Sequence, residues 1–274
     1  MRIAFHKMNG LGNDFVIVDE RVSSAGLSVS RITALADRRR GIGCDQLVVL
    51  GAPSGPDHHV HVRFFNPDGS EAGACGNASR CVAWLIACET GLREVVLRTR
   101  AGLLAAVVES RDSVTVDMGV PDLSWHGVPL SREADTLCLP LPGGPAALSM
   151  GNPHATFFVD DLSEDLPDAA SGAALESDPL FPERANIGFA RILAPDLMRL
   201  RVWERGAGFT LACGSGACAA VVNAARRGLG TRRMRVVADG GEMVIDWGED
   251  GRVRMTGPVA LSFTGEAESA DYPQ

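Results

Sequence analysis

Ala212-Cys213-Gly214-Ser215-Gly216-Ala217-Cys218-Ala219-Ala220 puts a thiol, a glycine-rich turn and the start of an apolar helix in immediate succession. A near-copy lies upstream as Ala74-Cys75-Gly76-Asn77-Ala78-Ser79-Arg80-Cys81-Val82-Ala83, with Cys75 preceding Cys213 by 138 positions in a chain of 274. The repeat extends outward from the two cysteines. Residues 62–76 align without a gap on 200–214, matching Arg63 with Arg201, Phe65 with Trp203 and Asn66 with Glu204. Gly12-Asn13 pairs with Gly151-Asn152, Ala101-Gly102 with Gly240-Gly241 and Val114 with Val253, each at an offset of 139. A constant offset at separated places is the signature of an internal duplication. The expectation is two lobes of like fold, 1–120 and 121–261, with 262–274 lacking a counterpart and packing back on the first lobe.

Within the first copy, residues 3–19 read as two strands about the turn Gly10-Leu11-Gly12-Asn13. Residues 28–40 read as a helix ending in Arg38-Arg39-Arg40 before Gly41, with basic residues in its last turn and a glycine after it. A polar entry, Gly43-Cys44-Asp45-Gln46, leads into a buried strand, and 62–65 form another before the turn Asn66-Pro67-Asp68-Gly69. The helix at 78–88 is apolar around most of its circumference, which predicts a helix surrounded by protein. Strands follow at 95–99, 103–108 and 114–118. The Pro- and Gly-rich stretch 120–145 reads as a loose connector, and 160–184, rich in Asp, Pro and Ser, as a surface excursion.

Bulk composition narrows the function. With 46% hydrophobic and 22% charged residues the chain is that of an ordinary globular protein. A net charge of −8 argues against nucleic acid and anionic membrane surfaces as partners. There is no apolar run of membrane-spanning length and no signal-like N-terminus, so the chain reads as cytoplasmic. Its seven cysteines are then expected to be reduced, with Cys44, Cys81, Cys88, Cys138 and Cys218 serving packing. Lys7 is the only lysine, so a Schiff-base cofactor such as pyridoxal phosphate must use Lys7 or be rejected.

Cys75 and Cys213 each precede a helix whose N-cap is expected at Asn77 or Ser215. The positive helix end should lower the thiol pKa and present free N–H groups suited to a carboxylate. Two such ends brought face to face suit the transfer of a proton from one face of a carbon to the other, with one thiolate and one thiol. Other readings of the thiols stay open at this level. They are buried packing, a Cys75–Cys213 disulfide that would block the chemistry, and a zinc site from Cys75/Cys81 and Cys213/Cys218, whose spacings are looser than structural zinc motifs.

The motifs Gly10-Leu11-Gly12-Asn13-Asp14-Phe15, Gly43-Cys44-Asp45-Gln46, Phe65-Asn66-Pro67-Asp68-Gly69-Ser70-Glu71, Cys75-Gly76-Asn77, Met150-Gly151-Asn152-Pro153-His154, Pro182-Glu183-Arg184-Ala185-Asn186, Glu204-Arg205-Gly206-Ala207-Gly208 and Cys213-Gly214-Ser215-Gly216 together resemble the diaminopimelate epimerase family over nearly the whole chain. The resemblance implies an α+β fold of the α/β-roll type, two pseudo-symmetric lobes each with a mostly antiparallel sheet wrapped round a central helix, and an active site in the cleft between them. It implies Cys75 and Cys213 as the acid/base thiols, and Gly76-Asn77 with Gly214-Ser215 as the carboxylate cradle. It places Asn13, Gln46 and Glu204 at the reacting centre's amine, Asn66, Asn152, Asn186 and Arg205 at the distal amino-acid end, and His154 and Glu204 as tuners of the thiols. It further implies epimerisation of LL- to meso-diaminopimelate for lysine and peptidoglycan precursors, with no cofactor and no metal, by a homodimer. A proline or hydroxyproline racemase shares the thiol pair, but the Asn152/Asn186/Arg205 set suits a second amino-acid terminus. A non-racemising isomerase similar to the phenazine-biosynthesis enzymes would lack the two cysteines. Phe209 stands where many relatives carry Glu, which leaves substrate range open.

Overall fold

The computed structural model describes residues 2–162 and 167–272, and the chain divides into two compact units. One unit runs to Val116 and resumes at Gly257; the other is Asp117–Thr256. The first contains β1 (Arg2–Gly10), β2 (Asn13–Asp19), α1 (Val29–Ala36), β3 (Gln46–Gly51), β4 (Val60–Phe65), β5 (Glu71–Ala72), α2 (Gly76–Thr90), β6 (Glu94–Thr99), β7 (Gly102–Ser110) and β8 (Ser113–Asp117). In the second come β9 (Ala146–Ser149), β10 (Pro153–Phe158), α3 (Ala169–Glu176), β11 (Asn186–Ala194), β12 (Leu197–Glu204), β13 (Gly208–Thr210), α4 (Gly214–Arg226), β14 (Arg233–Ala238), β15 (Gly241–Trp247) and β16 (Val253–Gly257). The last strand, β17 (Ala260–Glu268), pairs antiparallel with β1 in the first unit.

The duplication holds strand by strand. In the first unit β1 and β2 are antiparallel, β2 and β3 parallel, β3 and β4 antiparallel, and β4 and β6 parallel. β9 to β12 and β14 repeat those four relations in the second. Each sheet wraps its own long helix. Residues 76–83 of α2 are all buried, as are 216–224 of α4, because side chains on every side meet strands of the same unit. α2 stops where Gly91, at φ 75°, takes the left-handed cap that lets its N–H reach Ala87 O. On the outer face of the first sheet α1 closes a second layer, where Ile32 and Leu35 pack with Ile3, Phe5, Val16, Val18, Leu47 and Val49.

Four expectations are corrected. α1 ends at Ala36, not Arg40: the Asp37 carboxylate accepts the Arg39 and Arg40 amides at 2.7 and 2.8 Å, and the amides of Ile42 and Gly43 fold back onto Leu35 O. A side chain that offers the backbone a nearer acceptor ends the helix. That return demands a glycine at 41, where a Cβ would lie 2.1 Å from Ala34 O. The stretch 120–145 is not loose, since Val128, Leu130 and Leu139 are buried in the second unit's core with Phe157 and Phe189, and Thr136 is clasped by Arg226.

Nor is 160–184 merely a surface excursion, although part of it lies outside the described residues. α3 is capped by Asp168, whose carboxylate accepts Ser171 N–H at 2.8 Å, and it lies on the Trp203 ring so closely that a Cβ at Gly172 would approach within 2.6 Å. Leu180 and Phe181 are buried behind it. Finally, Cys88 and Cys138 are exposed rather than packed inside, whereas Cys44, Cys81 and Cys218 are buried. Among the described residues no helix is long and apolar enough to cross a membrane.

Candidate active site

Strand directions gather the polar residues. With β2 and β3 parallel and β4 antiparallel to β3, the first residues of β2 and β3 and the residue after β4 stand at one end of the first unit's sheet. These are Asn13, Gln46 and Asn66. The N-terminus of α2 arrives at the same end. Cys75 Sγ lies 4.0 Å from Asn13 Oδ1, and Asn77 Nδ2 donates to that oxygen at 3.4 Å. Gln46 Nε2 donates to Asn66 Oδ1 at 3.1 Å.

The second unit repeats the layout with Asn152 before β10, Asn186 opening β11 and Glu204 closing β12. Asn152 Nδ2 donates to Ser215 Oγ at 3.4 Å, and His154 Nε2 lies 3.0 Å from Asn152 Oδ1. Ser215 Oγ is 3.7 Å from Cys213 Sγ. Asn186 is buried, with Nδ2 on Pro153 O at 3.3 Å and Oδ1 accepting the Arg205 amide at 2.8 Å. Arg205 extends into solvent, its Nη1 on Glu183 O at 2.9 Å.

The helix starts differ from expectation in a way that matters. Cys75 and Cys213 are themselves the N-caps, and Asn77 and Ser215 are second residues of their helices. Cys75 O and Cys213 O accept the first ladder bonds, from Ser79 and Ala217, at 2.9 Å each. The amides of residues 76–78 and 214–216 therefore have no acceptor inside their helices. Each thiol thus sits beside a turn of backbone donors, an anion-binding arrangement.

Electrostatics also departs from the sequence expectation. The Cys213 thiol is pushed well above its usual range, first by burial and then by the Glu204 carboxylate; the Gly216 amide and Ser215 hydroxyl oppose this without overcoming it. Desolvation and a nearby negative charge outweigh the helix end here. His154, fully buried and near the Arg205 charge, is held down at about 3, so its ring is neutral at physiological pH. A neutral ring facing the Asn152 oxygen carries its proton on Nε2.

Several contributing residues have no signal in the motifs. Thr210 Oγ1 donates to Glu204 Oε1. Glu176, from α3, accepts Trp203 Nε1 at 2.6 Å and the Gly206 amide at 3.0 Å, bracing the turn that carries Glu204 and Arg205. Asp45 stands in the motif Gly43-Cys44-Asp45-Gln46, which assigns it no role, and its Oδ2 accepts Asn13 Nδ2 at 2.8 Å. Phe209 packs edge-on against Trp203 at 5.2 Å beneath the Arg201 guanidinium, as part of the second unit's core layer. Among the described residues no three His, Cys, Asp or Glu side chains gather as metal ligands would.

The duplicated sheet-and-helix unit, an α+β roll, is a fold that a solved amino-acid epimerase also carries. The hydroxyproline epimerase of Agrobacterium vitis shares the fold with a TM-score of 0.71 over 97% of this chain and 91% of its own, at 15% identity. The diaminopimelate epimerase family model matches residues 5–124 and 146–262. The chain is 60% identical to the diaminopimelate epimerase of Gluconobacter oxydans over 97% of its length and 99% of the relative's. It is 56% identical to that of Acidiphilium cryptum, covering 97% and 96%. The chain belongs to the diaminopimelate epimerase family.

Proposed function

We propose that this protein interconverts LL- and meso-diaminopimelate by moving the α-proton between two thiols, Cys75 and Cys213, without a cofactor. The observation behind this is the pair of N-cap cysteines, each beside amides with no helical acceptor and each at the sheet end where Asn13, Gln46 and Asn66, or Asn152, Asn186 and Glu204, converge. Cys213, whose proton is held by burial and by Glu204, is the acid of the resting enzyme. Cys75 as thiolate takes the α-proton from one face of the LL-substrate, and Cys213 S–H returns one to the other face. The enzyme then holds Cys75 as thiol and Cys213 as thiolate, which is the form that accepts the meso isomer.

The amides at the start of α2 and α4 hold the α-carboxylate, which must carry the charge that develops as the proton leaves. Asn13, Gln46 and Glu204 take the neighbouring amine. Asn66, Asn152, Asn186 and Arg205 hold the distal end, the guanidinium pairing with its carboxylate. His154, neutral, keeps Asn152 oriented. The product feeds lysine and peptidoglycan precursor synthesis, and the enzyme works as a cytoplasmic homodimer. Incubation with diaminopimelate in deuterium oxide should place deuterium at the α-carbon, and Cys75→Ala should abolish turnover. A Cys75→Ala protein with full activity would sink the two-thiol reading.

A further inference from the structure

Behind Asn13 lies a charge cluster that the chemistry above does not use. Lys7, the only lysine and nearly buried, bonds Asp14 Oδ2 and Gly43 O. Arg38 bridges two carboxylates, with Nη2 at 2.6 Å from both Asp14 Oδ1 and Asp45 Oδ1. Asp14 and Asp45 also clasp each other's backbone: Asp14 N–H donates to Asp45 Oδ2 and Asp45 N–H to Asp14 Oδ1, each at 3.0 Å. Burial works to raise the Asp14 carboxyl, but hydrogen bonds from Arg38 and Lys7 prevail and hold it well below the usual carboxylate range. Two cations and two anions thus form one hydrogen-bonded block.

One bond leaves the block toward the site. Asp45 Oδ2 accepts Asn13 Nδ2 at 2.8 Å. A carboxylate can only accept, so it fixes which end of the Asn13 amide faces it. The NH2 must turn to Asp45, and the oxygen is left to face Asn77 Nδ2 and Cys75 Sγ. Were the amide reversed, Asp45 would meet an oxygen and the thiol would meet a donor.

We propose that Asp45 is a positioning residue that sets the polarity of the Asn13 amide, and so presents an acceptor rather than a donor to the S–H that Cys75 carries once it has taken the α-proton. Arg38 and the Asp14 backbone hold that carboxylate in place, and Lys7 in turn holds Asp14. The inference builds on the epimerase reading, in which Asn13 contacts substrate and Cys75 carries the proton.

The test is a double-mutant cycle on the full-length protein with Asp45→Asn, Asn13→Ala and both together, read in two ways. Without substrate, the rate of Cys75 alkylation by iodoacetamide is followed by peptide mapping, which does not depend on the identity of the substrate. Asp45→Asn should change that rate several-fold while leaving Cys213 alone, and should change nothing further once Asn13 is Ala, since an effect carried through one side chain vanishes with it. With diaminopimelate, kcat/KM should fall roughly 10- to 100-fold in Asp45→Asn, as for other residues that orient a direct contact, and again show no added loss over Asn13→Ala. If Asp45→Asn does not fold, Asp45→Ser, which is too short to reach Asn13, replaces it with the same expectation. Additive effects in the alkylation cycle, or an unchanged Cys75 rate in the single variant, overturn the proposal. Wild-type protein that fails to turn over diaminopimelate while the alkylation cycle holds would overturn the substrate reading and leave the role of Asp45 standing.

Discussion

Acidification should unfold this protein partly through one histidine. His154 is buried with its ring held neutral at about 3, against 6.5 for an unperturbed histidine, because burial first and the Arg205 charge second penalise its protonation. The folded value is depressed, so the stability this group secures is full above 6.5 and drains away as pH falls toward 3. Between pH 7 and pH 5 the unfolded chain gains most of a proton at this site and the folded chain almost none. Integrating that difference gives a loss of about 2 kcal/mol from His154 alone. The figure is insensitive to the folded value, since any value well below 5 gives nearly the same uptake. His154→Gln keeps a donor for Asn152 and removes the titration. Urea melts of the two proteins at pH 7 and pH 5 should therefore show the wild type losing about 2 kcal/mol more than the variant over that interval. Equal losses in the two proteins would refute the assignment of a buried neutral ring.

Two further outcomes follow from particular contacts. Gly172→Ala drives a Cβ into the Trp203 ring, and the overpacking should cost about 1–3 kcal/mol and raise KM through the displaced α3, measured by thermal melts and steady-state kinetics. Glu204→Gln removes the carboxylate that helps hold the Cys213 proton, so Cys213 alkylation at a fixed pH near 8 should quicken as more of the thiol ionises. An unchanged or slower rate would remove Glu204 as a cause of the raised thiol.

What the linear chain discloses is what repeats or alternates. The offset of 138 between Cys75 and Cys213 and the near-continuous apolar helices after them disclosed two like units and a buried central helix in each. Boundaries set by side-chain competition were harder to read. Asp37, directly ahead of the run of arginines, ends α1 four residues short of Arg40, and the cysteines displaced Asn77 and Ser215 as caps. In each case propensity favoured one residue and a specific bond or strand exit chose another.

By itself the sequence determined the residue types of this site and their order, because the duplication copies the thiol, the following glycine and the asparagine turns into both halves. Tertiary structure alone decided their electrical state and orientation. Cys213 holds its proton because folding dehydrates it beside a carboxylate nine positions away in the chain. Asn13 turns its oxygen toward Cys75 because folding brings Asp45, thirty-two positions on, against its amide nitrogen. Burial and distance are properties of the packed chain, and pKa and amide polarity depend on both.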